Sequence, residues 1–292
     1  MRSIKKSRPL NVQTNRSLSE FSTFGIGGSI RFFAEITTVE EAEKAYAWAI
    51  SEKVAVLVVG KGSNCLFRDE PFPGLVLLNK IDFCRFEENE VSVGAGFSFS
   101  LLGVKSAKKN LSGLEFASGI PATVGGAVFM NAGANGKETF ESLVSVSYLF
   151  ETGEKREFQK RELSYGYRTS SFQSMKGMIL SARFCLEPKE EARKSQLDII
   201  HYRMKTQPYK DKSAGCIFRN PSREIAAGAI IDRCGLKGFS VGDAKVSEMH
   251  ANFLINTGKA TAKEMLELME CVQSQVYEKT GIHLEPEVRI LP

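Results

Sequence analysis

The chain has 292 residues, of which 42% are hydrophobic, and its 39 basic and 34 acidic residues leave a formal net charge of +5. That is apolar sequence enough for a large core and length enough for two domains, while the small, scattered excess of positive charge lacks the clustered basic and aromatic face of a nucleic-acid binder. No apolar run approaches the length of a membrane helix, and six cysteines (65, 84, 185, 216, 234, 271) without a CxxC pair, beside three scattered histidines, fit a reducing cytoplasm and no zinc site.

In chain order, MRSIKKSR at 1–8 reads as a solvated basic tail without the apolar stretch of a secretory signal. A helix is predicted over 39–51, where Thr38 and Glu41 have capping-box spacing and Val39, Ala42, Tyr46 and Ala49 share a face. The apolar run 54–59 predicts a buried strand entering GKGSN at 60–64. Further strands are predicted at 75–79, 90–96, 143–150 and 178–187, with ETGEK after Phe150 as a hairpin turn. From Pro188 the composition shifts to a charged amphipathic helix, KEEARKSQLDIIHYRMKT, with Leu197, Ile200 and Met204 on one face. A helix near 222–234, a strand at 252–256, a helix from 262 to about 279 capped by Thr261, Glu264 and Gly281, and a closing strand EVRIL complete the reading. Strands interspersed with helices and hairpin signals make the class α+β.

Two glycine-rich stretches stand out. There is no Walker loop and no GxGxxG after a strand. Instead Gly60-Lys61-Gly62-Ser63-Asn64 follows a strand and can form a nest of main-chain N–H groups for a diphosphate, or be a simple polar turn. About sixty residues on, SGIPATVGGAVFMNAG at 118–133 carries no charge; it suits the wall of a flat or phosphorylated ligand, and equally a tight turn between core elements. Together the two stretches suit a dinucleotide such as FAD bound outside a Rossmann fold.

Three places could carry chemistry. Arg168, in YRTSSF, is either a surface charge or a fork for a carboxylate. Cys216, in SAGCIFRNP, is either a buried small hydrophobe or a thiol which, with an ordinary pKa of roughly 8.5, holds a proton to donate at neutral pH. Glu285 and Glu287 bracket Pro286 and point to one side of an extended segment, either into a site or into solvent.

STFGIGGS (22–29), GKGSN, SGIPATVGGAVFMNAG, YRTSSF, SAGCIFRNP, VSEMHANFLIN (246–256) and LEPEVRI (284–290) occur in that order. From about residue 20 to the end the chain resembles the UDP-N-acetylenolpyruvoylglucosamine reductase family, flavoenzymes of peptidoglycan precursor synthesis. The resemblance implies an FAD-binding region of the vanillyl-alcohol-oxidase type over 1–192 and a substrate domain over 193–292, whose last strand returns to the active site. It implies non-covalent FAD, held by Gly60, Lys61, Gly62, Ser63, Asn64, Ser118, Gly119, Ile120, Pro121, Thr123, Gly125, Gly126 and Ala127. It also implies NADPH as hydride source, a sugar-nucleotide substrate, no metal, and a cytoplasmic monomer.

Residue by residue, Arg168 matches the family's catalytic arginine and would stabilise enolate charge. Cys216 stands where most members carry serine and would protonate the carbon, with sensitivity to oxidation as a consequence. Glu287, the second glutamate of LEPEV, would hydrogen-bond the enolate carboxylate. Arg219 and Asn220 are candidates for the substrate diphosphate, joined by Tyr167, His250 and Asn252, and Arg203 for a flavin or substrate phosphate. Asn135 replaces a common tyrosine, and no tyrosine-bearing insertion lies between Arg168 and Cys216, as in the subclass without a covering loop. The alternative is an oxidase of sugars or alcohols on the same binding fold, often with covalent flavin, for which Cys65 is the only candidate link.

Overall fold

The computed structural model describes residues 12–222 and 224–292. The basic stretch 1–8 therefore lies outside the described residues, as does Arg223 within the helix expected near 222–234. The chain folds as two compact units that share it discontinuously. The first takes the residues up to Thr14, Arg31–Lys61 and Pro73–His201; the second takes Asn15–Ile30, Gly62–Phe72 and Tyr202–Pro292.

The first unit is built on a five-stranded antiparallel sheet in the order Lys155–Gln159, Leu143–Phe150, Gly177–Cys185, Glu90–Gly94, Cys84–Glu87. The strand Gly177–Cys185 buries Met178, Ile179, Leu180, Ala182 and Phe184, leaves Ser181 and Arg183 half-buried, and sends apolar side chains to both its faces. Met178 and Leu180 enter a core with Ala42, Ala45, Tyr46 and Trp48 of the helix Val39–Ser51, and Ile179, Ala182 and Phe184 enter another with Phe99, Phe116, Phe140 and Phe172. Its register slips where Ser147 pairs Ser181 but Tyr148 pairs Ile179, so Leu180 is the extra residue of a bulge that turns the alternation over. The strand Val56–Val59 pairs in parallel with Phe72–Asn79, Val56 opposite Leu75, and delivers Gly60 at its end.

The helix Val39–Ser51 starts as its sequence predicts: the Thr38 hydroxyl accepts the Glu41 N–H and the Glu41 carboxylate accepts the Thr38 N–H.

The second unit places the sheet Lys212–Cys216, Phe253–Asn256, Ala244–Val246, Ser240–Val241 with the helices Ala227–Arg233 and Ala262–Thr280. Met265, Leu268, Met269, Val272 and Val276 form the buried stripe of the last helix, which ends at Gly281 in a left-handed conformation, φ +71°. The closing strand Arg289–Leu291 pairs in parallel with Cys65–Phe67.

Two expectations are corrected. The helix near 222–234 begins only at Ala227, because Ser222 and Glu224 form a turn and the Asn220 side chain accepts the Ala227 N–H. The helix Ala192–Thr206 exists, but Leu197 and Met204 are exposed while Ala192, Gln196 and Arg203 are buried. Apolar period alone picks the wrong stripe where polar side chains are the ones turned inward.

Candidate functional site

In the first unit Gly60, the start of the first glycine-rich stretch, adjoins Thr123 of the second. A Cβ on Gly60 would lie 2.4 Å from the Thr123 hydroxyl oxygen, so a larger residue there would displace the Thr123 side chain. Lys61 is exposed, with its Nζ 3.5 Å from the Ser98 hydroxyl. Within the uncharged run, Val124–Met130 is a short helix capped by Thr123, whose hydroxyl accepts the Gly126 N–H. Gly119 N–H donates to the Ser100 hydroxyl, Ile120 to the Ala117 carbonyl, Val124 to Phe97, Gly125 to Ala95 and Ala127 to Thr123. The N–H groups named are thus engaged within the protein; of the run, Pro121 and Gly126 are exposed, while the Ser118 hydroxyl is fully buried without a hydrogen-bond partner.

Arg168 sits at the tip of a hairpin, Tyr165–Gly166 against Thr169–Ser170, in a left-handed conformation with φ +58°. Its Nη2 donates to the Gly133 carbonyl at 2.9 Å, and its guanidinium lies 4.8 Å from the centre of the exposed Tyr167 ring. The hairpin is tied to the end of the short helix by the Ser170 hydroxyl, which donates to Phe129 O, by Asn131, which donates to Gly166 O, and by Gln173, which donates to both Phe129 O and Arg168 O.

In the second unit the segment Cys216–Arg219 runs between two neighbours. On one side Ile217 N–H donates to Asn252 O, and the Asn252 carboxamide both accepts Phe218 N–H and donates to Phe218 O. On the other, Glu287 N–H donates to Ile217 O at 2.7 Å and Arg219 N–H to Glu285 O. Cys216 and Glu287 thus belong to adjoining segments joined one residue beyond the thiol, and both are half-buried, whereas Glu285 is exposed.

Gly62 is buried with φ +59°, and a Cβ there would meet the Phe21 carbonyl oxygen at 2.0 Å. Among the described residues no group accepts the N–H of Gly62 or Ser63. Consecutive donors around a left-handed glycine are the start of an anion nest. The Asn64 side chain turns to the closing segment, where its Nδ2 donates to Glu287 O, and the Asn64 main-chain carbonyl accepts Arg289 N–H.

The remaining candidates divide by burial. Asn252, expected at the substrate, is 2% exposed and fully engaged by Phe218 main chain, which makes it a support for the Cys216 segment. His250 Nδ1 accepts the Asn252 N–H, and burial pushes its pKa below the usual imidazole value. Asn220 is exposed with its oxygen on Ala227 N–H, and Arg219 is half-buried. Arg203 is 6% exposed with Nε unpartnered, and Gln196, which the sequence reading passed over, is wholly buried with Nε2 unpartnered. Within the second unit, the orphaned Arg203 Nε and the open N–H groups of Gly62 and Ser63 are each donors of the kind a phosphate-bearing cofactor takes. Gln173 and Asn131 were likewise missed; the motif YRTSSF stops one residue short of Gln173.

The chain matches a model of the FAD binding domain over residues 30–159 and one of the UDP-N-acetylenolpyruvoylglucosamine reductase C-terminal domain over 207–291. It is 50% identical to the UDP-N-acetylenolpyruvoylglucosamine reductase of Protochlamydia amoebophila, over 99% of this chain and 97% of that one. The chain belongs to the UDP-N-acetylenolpyruvoylglucosamine reductase family. The reductase of Chlamydia muridarum is 46% identical, over 97% of this chain and 96% of that one. The crystal structure of the reductase from Thermus caldophilus superposes with a TM-score of 0.82 at 36% identity, covering 96% of this chain and 99% of the other. The α+β architecture is accordingly an FAD-binding domain followed by the family's C-terminal domain. Cys65, the one residue suited to a covalent flavin link, has its thiol pushed up to about 11 by burial, against the pull of Arg289. It is a protonated thiol at neutral pH and a poor nucleophile.

Proposed function

We propose that this chain reduces the enolpyruvyl ether of UDP-N-acetylglucosamine-enolpyruvate to UDP-N-acetylmuramate with NADPH, using Arg168, Cys216 and Glu287. The support is the match, over 99% of the chain, to a relative that bears the reductase name. The FAD-binding region extends to about residue 192 and the substrate domain follows. Gly60, Lys61, Gly62, Ser63 and the surface of 118–127 would hold FAD, the diphosphate meeting the open N–H groups and Lys61. FAD, when bound, would supply the hydride chemistry that no side chain can perform between NADPH and the ether's methylene carbon.

The side chains manage the charge that results. Negative charge develops at the carbon next to the carboxylate and spreads into that carboxylate. The Arg168 guanidinium, already oriented by Gly133 O, is a planar donor for it. The Cys216 thiol gives its proton to the carbon, and the carboxyl of Glu287 hydrogen-bonds the enolate oxygen. Main-chain bonding from Ile217 to Glu287 sets those two groups on a common support. Tyr167, Arg219, Asn220, His250 and Arg203 are the residues we assign to the sugar nucleotide and its phosphates. No disulfide joins the six cysteines, and no metal-binding cluster or membrane-length helix occurs among the described residues. We assign a cytoplasmic monomer, as the sequence resemblance implies.

Anaerobic stopped-flow tests the reading. NADPH bleaches the flavin, and the enolpyruvyl sugar nucleotide restores its colour; recovery with oxygen alone would favour the oxidase. Cys216→Ala leaves the first phase near wild type and slows the second by about a hundredfold or more, the scale of a lost general acid. Cys216→Ser retains substantial turnover. Equal rates of both phases in Cys216→Ala would remove the thiol from its assigned role.

A further inference from the structure

Arg168 occupies a backbone region that L-residues other than asparagine, aspartate and histidine rarely hold, φ +58°, and it does so at the tip of a hairpin only two residues long on each side. Such a conformation persists only where the surroundings over-determine it. Within the first unit those surroundings can be named. The Gln173 side-chain nitrogen donates to the Arg168 carbonyl at 3.0 Å and to the Phe129 carbonyl at 3.0 Å. Two carbonyl acceptors on one carboxamide end require that end to be the NH2 group, so the orientation of Gln173 is dictated by its neighbours. The Phe129 carbonyl is shared with the Ser170 hydroxyl at 2.7 Å, which fixes the far strand of the same hairpin. The near strand is held at Gly166 O by Asn131, itself fully buried and bonded to Glu138 and to Phe140 N–H. Asn131 and Ser170 hold the strands, while Gln173 alone of these three bonds the peptide group of Arg168 itself.

We propose that Gln173 is a positioning residue for Arg168: by bridging the Arg168 and Phe129 carbonyls it keeps the turn in its left-handed form and aims the guanidinium. The inference rests on the role given to Arg168 above. Gln173 touches no reacting atom in this account. It fixes the peptide plane following Arg168, and with it the direction in which the side chain leaves the turn. The neighbouring Gly133 carbonyl then receives Nη2. A displacement of about an ångström at a group that stabilises developing charge is enough to lower turnover strongly.

The test uses the flavin-loaded full chain. Gln173→Ala lowers kcat for the enolpyruvyl substrate by about tenfold or more, while reduction of the flavin by NADPH stays within about twofold of wild type. In an Arg168→Ala background the same substitution changes kcat by less than about twofold, because the group it aims is gone. A residue that only held the fold together would cost the same factor in both backgrounds, and that additive outcome overturns the proposal. So does a wild-type kcat in Gln173→Ala.

Gln173→Glu supplies a second, near-isosteric variant should the alanine form fold poorly. An ionised carboxylate facing two carbonyls cannot bridge them, whereas its protonated form donates to one. Its kcat relative to wild type therefore rises as the pH is lowered, and a flat ratio counts against the bridge. Amide hydrogen exchange over 165–170, read without turnover, quickens in both variants. Failure of the wild-type protein to reduce the enolpyruvyl ether would instead strike the functional reading, with the hairpin exchange result still standing.

Discussion

His250 is held in its neutral form by the fold. Its Nδ1 accepts the Asn252 N–H, a bond that an imidazolium cannot make, and burial, the largest influence, lowers its pKa, assisted by the charge of Lys237 and opposed by Asp232. The unfolded chain then takes up a proton near pH 6.5 while the folded chain resists until lower pH. The stability due to neutral His250 is complete above that unfolded value and is lost as the pH falls through the depressed folded one. His250→Asn retains an acceptor oxygen without a titration. Urea denaturation between about pH 7 and pH 5 is expected to show a shallower acid slope in this variant, and an unaltered slope would count against the neutral assignment.

Residue roles of this kind were only partly readable beforehand. Arg168, Cys216 and Glu287 stand in contiguous motifs, so the resemblance could point to them. The bond from Asn64 to Glu287 O joins positions 223 apart, and no spacing rule connects them. Asn252 and Gln173 act through main-chain carbonyls, which leave no mark in composition.

Among the elements, the hairpin that carries Arg168 sets activity against stability. A left-handed residue with a Cβ costs roughly 1–2 kcal/mol relative to glycine in the same place. Arg168→Gly and Arg168→Ala both lose the guanidinium and its bond to Gly133 O, and both are expected to keep only a small, measurable residue of turnover on the enolpyruvyl ether, about a hundredfold or more below wild type. The glycine form should nevertheless be more stable than the alanine form by about 1 kcal/mol in chemical denaturation, against the usual order of the two residues. Equal stability would mean that the turn relaxes when the arginine leaves.

The elements also show which signals survive folding. The capping boxes at Thr38 and Thr261, the glycine stop at 281 and the strand Leu143–Phe150 are local, and each forms where its sequence indicates. The helix Val124–Met130 opens on Val-Gly-Gly, a poor start by propensity. Bonds from Val124 and Gly125 N–H to the carbonyls of Phe97 and Ala95 supply what the local sequence lacks. The helix Ala192–Thr206 fails in the other direction, its polar Gln196 and Arg203 being buried where a periodic reading seeks leucine.

For the molecule, the second unit depends on the N-terminal part of the chain. Phe24, Ile26 and Leu66 are fully or almost fully buried in the core that also holds Ile230, Met265 and Leu268. Asp69 accepts the N–H groups of Ala262 and Lys263 at the start of the last helix, and the Asn256 side chain donates to Phe24 O. A fragment comprising residues 193–292 lacks all of these. It is expected to remain without a cooperative transition or dispersed amide spectrum, and a folded fragment would show that the N-terminal segments are dispensable to that core.

The parallel pairing of Cys65–Phe67 with Arg289–Leu291 has a consequence for biosynthesis. The two strands leave the ribosome more than two hundred positions apart, and at about 5–20 residues per second the earlier one waits roughly ten to forty-five seconds for its mate. During translation the strand Cys65–Phe67 is an unmatched β-edge, a natural client for a holding chaperone until Arg289–Leu291 has been made.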